Sequence, residues 1–251
     1  MSDTVERFSN RVENYVKYRP SYPTAVLQLF KDKMGLTESS VVADIGSGPG
    51  ISARLFLENG NIVYGVEPNS TMRQAAESIL SKFPNFKSID GTAEATALPT
   101  SSVDFVVASQ AFHWFDPDAA RAEFLRIVKD GGYIGLIWNE RQMETTPFLC
   151  EYEQFILRNA KDYEYVRHDN ISAQDLEAFF QKEFHSATFE NVQIFDFEGL
   201  KGRMLSASYM PSETDRGYSE MIDELRELFA KHAENGKIKV FYDTNVYYCQ
   251  F

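Results

Sequence analysis

Short apolar runs alternate with amphipathic segments of helical period between residues 41 and 139. Continuously apolar runs are typical of parallel strands that are covered by helices on both faces. The segment 118–128 carries an apolar stripe of helical period, and Gly131-Gly132 follows it as a stop signal. This alternation predicts an α/β fold built on a mostly parallel sheet with crossover helices. The five predicted strands lie at residues 41–45, 62–66, 86–89, 103–108 and 133–138.

The flanking segments follow different patterns. Pro23 and the apolar positions after it predict a helix that packs on the sheet edge, and the first twenty residues predict a lid or cap. Alternating polarity near the end of the chain predicts an antiparallel pair of strands that extends the sheet. The predicted elements after the alternating region are helices at 148–160, 172–184 and 213–234 and strands at 189–197 and 238–251.

The amino-acid composition and net charge limit the kinds of molecule that we expect the protein to bind. The 251 residues include 37 Asp and Glu against 25 Lys and Arg, a net charge of −12 that repels phosphate backbones and anionic membrane surfaces. We therefore expect no nucleic-acid partner and no membrane partner. Cys150 and Cys249 are far apart and lack neighbouring metal ligands, so we expect reduced thiols and no metal site. The N-terminus lacks an apolar signal segment, and we expect a cytoplasmic protein.

A glycine-rich turn follows the first predicted strand. Gly46, Gly48 and Gly50 form a G-x-G-x-G pattern that is preceded by Asp44 and followed by a predicted helix at 51–59. Glycine lets a ligand approach the backbone closely. A dinucleotide site uses the spacing G-x-G-x-x-G and places a pyrophosphate on the helix N-terminus. The different spacing and the acidic residue favour a ligand that carries a cationic group and no phosphate.

A second acidic residue ends the second predicted strand. Glu67 lies 23 positions after Asp44, close to the interval of about 20 residues at which a Rossmann acid accepts ribose hydroxyls. A glycine-rich turn alone is also compatible with an ordinary tight connection. Glu67 at this spacing favours the ligand-binding interpretation.

Five motifs in order resemble those of the class I S-adenosylmethionine-dependent methyltransferases. Within this class, the chain resembles the small-molecule group that includes trans-aconitate methyltransferase-like proteins. The segment 15–23 also resembles the cap of this subgroup, which covers the methionine end of the cofactor. The resemblance covers most of the chain and implies a Rossmann-like sheet of seven strands in the order 3-2-1-4-5-7-6. The motifs lie at residues 44–50, 65–69, 91–99, 102–106 and 128–132.

The resemblance implies a role for each matching position. Gly46 and Gly48 would present backbone to the methionine moiety of S-adenosylmethionine, and Glu67 would hold its ribose. The segment 92–94 would border the adenine, and Met72 would cover the other face of the ring. Residues 110 and 111, just past the fourth strand, would lie below the sulfonium. The complete set expected at the cofactor is Tyr18, Arg19, Asp44, Gly46, Ser47, Gly48, Gly50, Glu67, Pro68, Met72, Thr92, Ala93, Glu94, Gln110 and Ala111.

The chain is expected to form a single methyltransferase domain over residues 1–251. Its parts would be an N-terminal cap with the first helices (1–35), a cofactor-binding core (36–140), and a helical insertion with the C-terminal strands (141–251). Either a monomer or a homodimer fits this plan.

Catalytic candidates follow from the chemistry of methyl transfer, which needs proximity and alignment and no obligatory base. His113, in an aromatic run after the fourth strand, is placed to deprotonate an alcohol or amine, or is a structural residue of the pocket wall. Arg19, Arg141 and Arg203 lie in segments expected to overhang the site, and guanidinium groups suit carboxylates of the cofactor or of an acceptor.

The resulting hypothesis is an S-adenosylmethionine-dependent methyltransferase that acts on a small-molecule acceptor. The resemblance suggests a carboxylate that is methylated on oxygen, while the aromatic run would equally accept a neutral phenol or amine. A nicotinamide-dependent oxidoreductase is disfavoured by the glycine spacing and by Asp44. A non-catalytic scaffold of the same fold is disfavoured by the intact turn and by Glu67.

Overall fold

The computed structural model describes residues 12–161, 163 and 172–251, in which seven strands form a single sheet. The strands are β1 (Val41–Ile45), β2 (Ile62–Val66), β3 (Phe86–Ile89), β4 (Val103–Ser109), β5 (Val128–Arg141), β6 (His185–Phe195) and β7 (Ile238–Gln250). Their order, β3-β2-β1-β4-β5-β7-β6, confirms the predicted order and the Rossmann-like class. The first five strands are parallel, and β7 runs antiparallel to both β5 and β6.

Helices pack on both faces of this sheet. They are α1 (Val12–Tyr18), α2 (Thr24–Met34), α3 (Ile51–Glu58), α4 (Ser70–Ile79), α5 (Pro117–Ile127), α6 (Pro147–Asn159), α7 (Ala173–Phe180), α8 (Phe197–Leu205) and α9 (Tyr218–His232). Of the predicted cap, residues 1–11 lie outside the described residues. Among the helices described, none is long and apolar enough to cross a bilayer.

The central strands are mostly apolar because consecutive side chains enter different cores. On β1, Val42 packs with Phe30 and Phe56, which come from α2 and α3. Its neighbour Ala43 belongs to the opposite core, which contains Phe124 of α5. Two buried faces explain why the parallel strands show no polar alternation.

A third apolar cluster fills the space between α6, α8, α9 and the start of β7. Helix α8 was not predicted from the sequence, because Gly199 and Gly202 lower the helix propensity of this segment. The Asp196 side chain accepts a hydrogen bond from the Gly199 N–H and caps the helix. Tertiary packing therefore stabilises a helix that local propensity disfavours.

Some predicted boundaries were wrong. Strand β5 begins at Val128 instead of residue 133, so Gly131 and Gly132 lie inside the strand and do not form the stop that follows a helix. Helix α7 ends at Phe180 instead of residue 184, because Gln181 adopts a left-handed conformation with φ 54°. The residues beyond that turn lead into β6, which starts four positions before its predicted beginning at residue 189.

Candidate active site

The glycine-rich turn joins β1 to α3 with three residues of positive φ, at 68° for Gly46, 53° for Gly48 and 87° for Gly50. A Cβ added to Gly46 would lie 2.6 Å from the Cβ of Ala111, and one added to Gly50 would lie 2.5 Å from a methyl carbon of Leu80. A Cβ on Gly48 would meet nothing within 4 Å. Gly46 and Gly50 are therefore required by close packing, whereas the backbone of Gly48 borders open space that a ligand can enter.

Glu67 follows β2 and holds the turn from the other side. Its Oε2 accepts a hydrogen bond from the Gly48 N–H at 2.9 Å, and its Oε1 accepts one from the Asn69 N–H at 2.9 Å. Burial raises the pKa of this carboxyl above its ordinary value. Each carboxylate oxygen has a further lone pair. Glu67 can thus order the turn and still accept two hydroxyl groups of a ligand.

Asp44 lies on β1 behind the turn and is fully buried. Its Oδ2 accepts a hydrogen bond from the Ser52 hydroxyl at 2.6 Å, which ties the strand to the first turn of α3. Among the described residues, its Oδ1 has no hydrogen-bond partner. Burial raises the pKa of Asp44 to about 7. A nearby cationic group of a ligand would stabilise the ionised form of this buried carboxyl group.

A cleft of about 130 Å³ opens at the carboxyl ends of β1, β2 and β4. This position is where open α/β sheets bind their ligands. The lining residues are Tyr15, Gly46, Gly48, Glu67, Pro68, Asn69, Met72, Gln110, Ala111, Trp114 and Phe115. The structure therefore brings seven of the residues expected at the cofactor to one surface.

The other expected residues lie outside that lining. Tyr18 packs on Gly202 of α8, with ring atoms where a Cβ of this glycine would stand. Ala93 is buried in the core, and the Glu94 carboxylate accepts a hydrogen bond from the Asp116 N–H at 3.0 Å. The further expected residues outside the lining are Arg19, Asp44, Ser47, Gly50 and Thr92.

Four lining residues were absent from the expected cofactor set: Tyr15, Asn69, Trp114 and Phe115. The first two belong to motifs that were recognised. Tyr15 opens the cap motif at 15–23, and Asn69 closes the motif at 65–69. Asn69 also caps α4 by accepting hydrogen bonds from the N–H groups of Thr71 and Met72. The motif spacing was therefore sufficient to find both, but only the fold shows that Tyr15 and not Tyr18 borders the cleft.

Arg19 follows α1 at the edge of the site. Its guanidinium lies 4.8 Å from the centre of the Tyr15 ring, and one amino group donates to the Ser206 carbonyl at 3.1 Å. The buried Nε of Arg19 has no hydrogen-bond partner among the described residues. Burial lowers the pKa of Arg19, and the nearby charge of Arg203 lowers it further. This arrangement suits an anionic group of a ligand.

His113 lies in the short 3-10 turn Phe112–Trp114 that follows β4. Burial, and secondarily the charge of Arg19, lowers the pKa of His113 to about 4. The imidazole is therefore neutral near pH 7. A group whose conjugate acid is this strong is a weak base for deprotonating an alcohol or ammonium.

The sheet order, the turn after β1 and the acid after β2 together define a Rossmann-like methyltransferase. The methyltransferase domain family matches residues 43–136. An uncharacterized methyltransferase of Mycobacterium bovis is 30% identical over 225 residues, which cover 90% of this chain and 86% of that protein. A methyltransferase-like protein of Schizosaccharomyces pombe is 27% identical over 248 residues, covering 96% and 93%. The chain belongs to the class I S-adenosylmethionine-dependent methyltransferases.

Solved structures share the fold at low sequence identity. A structure from Anaeromyxobacter dehalogenans, described as a type II methyltransferase, has a TM-score of 0.68 at 18% identity and covers 93% of this chain and 98% of that one. An N-methyltransferase of Haemonchus contortus, solved with phosphomonomethylethanolamine and S-adenosylhomocysteine, has a TM-score of 0.56 at 15% identity. It covers 98% of this chain and 58% of that one.

Proposed function

We propose that the cleft binds S-adenosylmethionine and that the enzyme transfers its methyl group to a small-molecule carboxylate. The cofactor part of this proposal rests mainly on the contact between Glu67 and Gly48. The Glu67 carboxylate can accept hydrogen bonds from ligand hydroxyl groups, and the space beside the Gly48 backbone is not filled by side chains. Glu67 would accept the ribose hydroxyls, and Met72 would lie against the adenine ring. Asp44 would stabilise the cationic amino group, and Arg19 would face the carboxylate of the methionine end.

The chain supplies positioning and a dry environment for this reaction. When bound, S-adenosylmethionine supplies a methyl group on a positively charged sulfur, which departs readily in an in-line displacement. Trp114 and Phe115 line the cleft and, with the ligands bound, would limit the access of water to the reacting atoms. A carboxylate acceptor is nucleophilic at neutral pH and needs no base. His113 is not among the residues that line the cleft, and its low pKa makes it a weak base, which fits an acceptor that needs no base.

Calorimetry with S-adenosylhomocysteine and NADH tests the cofactor assignment. We expect saturable binding of S-adenosylhomocysteine and none of NADH. The reverse result would favour the nicotinamide-dependent alternative, and binding of neither would indicate a degenerate scaffold.

A turnover assay tests the acceptor class. Release of S-adenosylhomocysteine is measured across small carboxylic acids, phenols and amines, and we expect turnover with acids. Turnover confined to phenols or amines would contradict the carboxylate assignment. Its loss in His113→Ala would then identify this histidine as a base.

A further inference from the structure

A chain of side-chain hydrogen bonds connects the C-terminal strands to the end of α1. The Arg203 Nε donates to the Tyr242 hydroxyl at 3.1 Å, and the Tyr242 hydroxyl donates to the Gln193 Oε1 at 2.9 Å. The Gln193 Nε2 donates to the backbone carbonyl of Tyr18 at 3.0 Å. Three elements, α8, β7 and β6, therefore contribute one side chain each to a path that ends at the last residue of α1.

The two ends of this chain fix the direction of its hydrogen bonds. An arginine side chain has donors only, and a backbone carbonyl has acceptors only. The Gln193 amide must therefore turn its NH2 group to the Tyr18 carbonyl, which leaves its oxygen to accept from the Tyr242 hydroxyl. The reverse orientation of the amide would place the oxygens of Gln193 and Tyr18 against each other. Only one orientation of Gln193 thus satisfies both of its contacts.

A second path leads from Arg203 to the residue that follows α1. The Arg203 Nη1 donates to the Ser206 hydroxyl at 3.4 Å, and the Ser206 carbonyl accepts from the Arg19 Nη2 at 3.1 Å. Ser206 and Tyr242 are buried, so these bonds lie in a medium of low dielectric constant, where hydrogen bonds are stronger than in water. Tyr18 and Arg19 are therefore both fixed by the same network.

The end of α1 needs such support. The last carbonyls of a helix have no partner within the helix, and Gln193 supplies one to the carbonyl of Tyr18. The described helix α1 has seven residues, fewer than an isolated helix needs to be stable in water. Its position therefore depends on contacts with the rest of the chain. Arg19 lies directly beyond this end, with its guanidinium 4.8 Å from the centre of the Tyr15 ring.

We propose that Gln193 is a positioning residue for the cofactor, because its amide holds the end of α1 where Arg19 can face the carboxylate of the methionine end. Tyr242 and Arg203 hold the amide in the orientation that this requires. Gln193 is not among the residues that line the cleft, so it acts through the cap. This inference rests on the proposed binding of S-adenosylmethionine and adds to it a residue of the C-terminal strands that sets affinity for the methionine end.

Calorimetry with two ligands tests this role on the full chain. S-adenosylhomocysteine contains the amino-acid end that Arg19 would face, whereas adenosine lacks it and keeps the ribose that Glu67 would hold. Gln193→Leu should weaken binding of S-adenosylhomocysteine by about tenfold, as expected when one hydrogen bond is lost, and leave adenosine binding unchanged. The control Gln28→Leu removes an exposed amide that donates to a neighbouring acid on α2, and it should leave both affinities unchanged.

Three further variants test the path itself. Gln193→Glu keeps the acceptor for Tyr242 but replaces the donor to Tyr18 by an oxygen, and it should show the same selective loss. Tyr242→Phe should show a smaller loss of the same kind, because the amide is then held at one end only. The double variant of Gln193→Leu with Arg19→Met should bind S-adenosylhomocysteine as weakly as Arg19→Met alone, because Gln193 acts through Arg19.

Equal weakening of S-adenosylhomocysteine and adenosine by Gln193→Leu would show a general structural role and overturn the inference. Full affinity in both Gln193 variants, or additive losses in the double variant with Arg19→Met, would also overturn it. If the original protein binds neither ligand, the proposed cofactor fails and this inference fails with it. If the original protein binds both ligands and the Gln193 variants show no selective loss, only the positioning role fails.

Discussion

Glu67 and Asp44 lie near the carboxyl ends of neighbouring strands, but their surroundings differ. The Glu67 carboxylate is held by two backbone N–H groups and borders the cleft. The Asp44 carboxylate is fully buried behind the turn and meets one hydroxyl group through its Oδ2. At the scale of single residues, one acid can therefore contact the cofactor directly, while the other acts through charge and by ordering the turn.

Replacing Glu67 tests the direct contact. Glu67→Ala should weaken binding of S-adenosylhomocysteine by about 1–3 kcal/mol, the usual cost of lost hydrogen bonds to a charged group. Glu67→Gln keeps one acceptor oxygen and should show a smaller loss. The control Glu58→Ala removes an exposed acid that pairs with Arg54 and should leave affinity unchanged. Calorimetry that finds equal affinity in Glu67→Ala and Glu58→Ala would contradict the ribose assignment.

Asp44 predicts a pH dependence of cofactor binding. Because burial raises its pKa to about 7, the ionised form that attracts the amino group is lost as the pH falls below 7. Affinity for S-adenosylhomocysteine should decrease by up to about tenfold per pH unit between pH 7 and 5.5. Asp44→Asn should bind more weakly at pH 7 and lose this slope. A steep slope that persists in the variant would assign the titration to another group, such as Glu67.

At the scale of elements, helix α1 reaches the site because α8 and β6 hold it. The Tyr18 ring packs on Gly202, and the Tyr18 carbonyl accepts a hydrogen bond from the Gln193 side chain at 3.0 Å. The same helix carries Tyr15 to the cleft and leads directly to Arg19. The position of two site residues therefore depends on an interface with the C-terminal part of the chain.

A side chain on Gly202 should displace α1. An added Cβ would stand 2.0 Å from a carbon of the Tyr18 ring, so Gly202→Ala should lower affinity for S-adenosylhomocysteine by shifting Tyr15 and Arg19. The variant Tyr18→Leu is the second single mutant of the comparison, because it removes the ring with which the added Cβ would clash. A double-mutant cycle should give a coupling energy of about 1 kcal/mol or more. Strict additivity would show that this contact does not position the cap.

At the scale of the whole molecule, the cleft and the apolar cluster of the C-terminal helices lie in different regions of the fold. The carboxyl ends of β1, β2 and β4 form the cleft, whereas α6, α8, α9 and the start of β7 enclose a separate apolar cluster. The protein carries a net charge of −12, yet Arg19 and Arg203 both donate hydrogen bonds to Ser206. Local placement of charge therefore gives this acidic protein a positively charged region close to the cleft.

The distribution of ligating side chains predicts that activity is independent of divalent metal. In the described ranges, no group of three His, Cys, Asp or Glu residues is placed to hold a metal ion. Turnover should persist in excess chelator, because positioning by the cleft is sufficient for methyl transfer. Loss of turnover that added magnesium or zinc restores would contradict this prediction.

Much of the fold could be predicted because its signals are local. Continuous apolar runs identify strands buried on both faces, and the glycine spacing with Glu67 identifies the ligand-binding end of the sheet. The start of β5 and helix α8 were not found, because glycines at 131, 132, 199 and 202 are usually signs of a turn or of a weak helix. At these positions packing outweighs local preference.

The sequence by itself determined the α/β class, the strand order implied by its motifs, and the seven expected residues that line the cleft. Only the tertiary structure decided that Tyr15 and not Tyr18 borders the cleft, and that Arg19 and Arg203 meet at Ser206. The physical reason is the range of the interactions. Strand burial and turn geometry are encoded within a few residues, whereas contacts across much of the chain arise only when the sheet and its covering helices pack together.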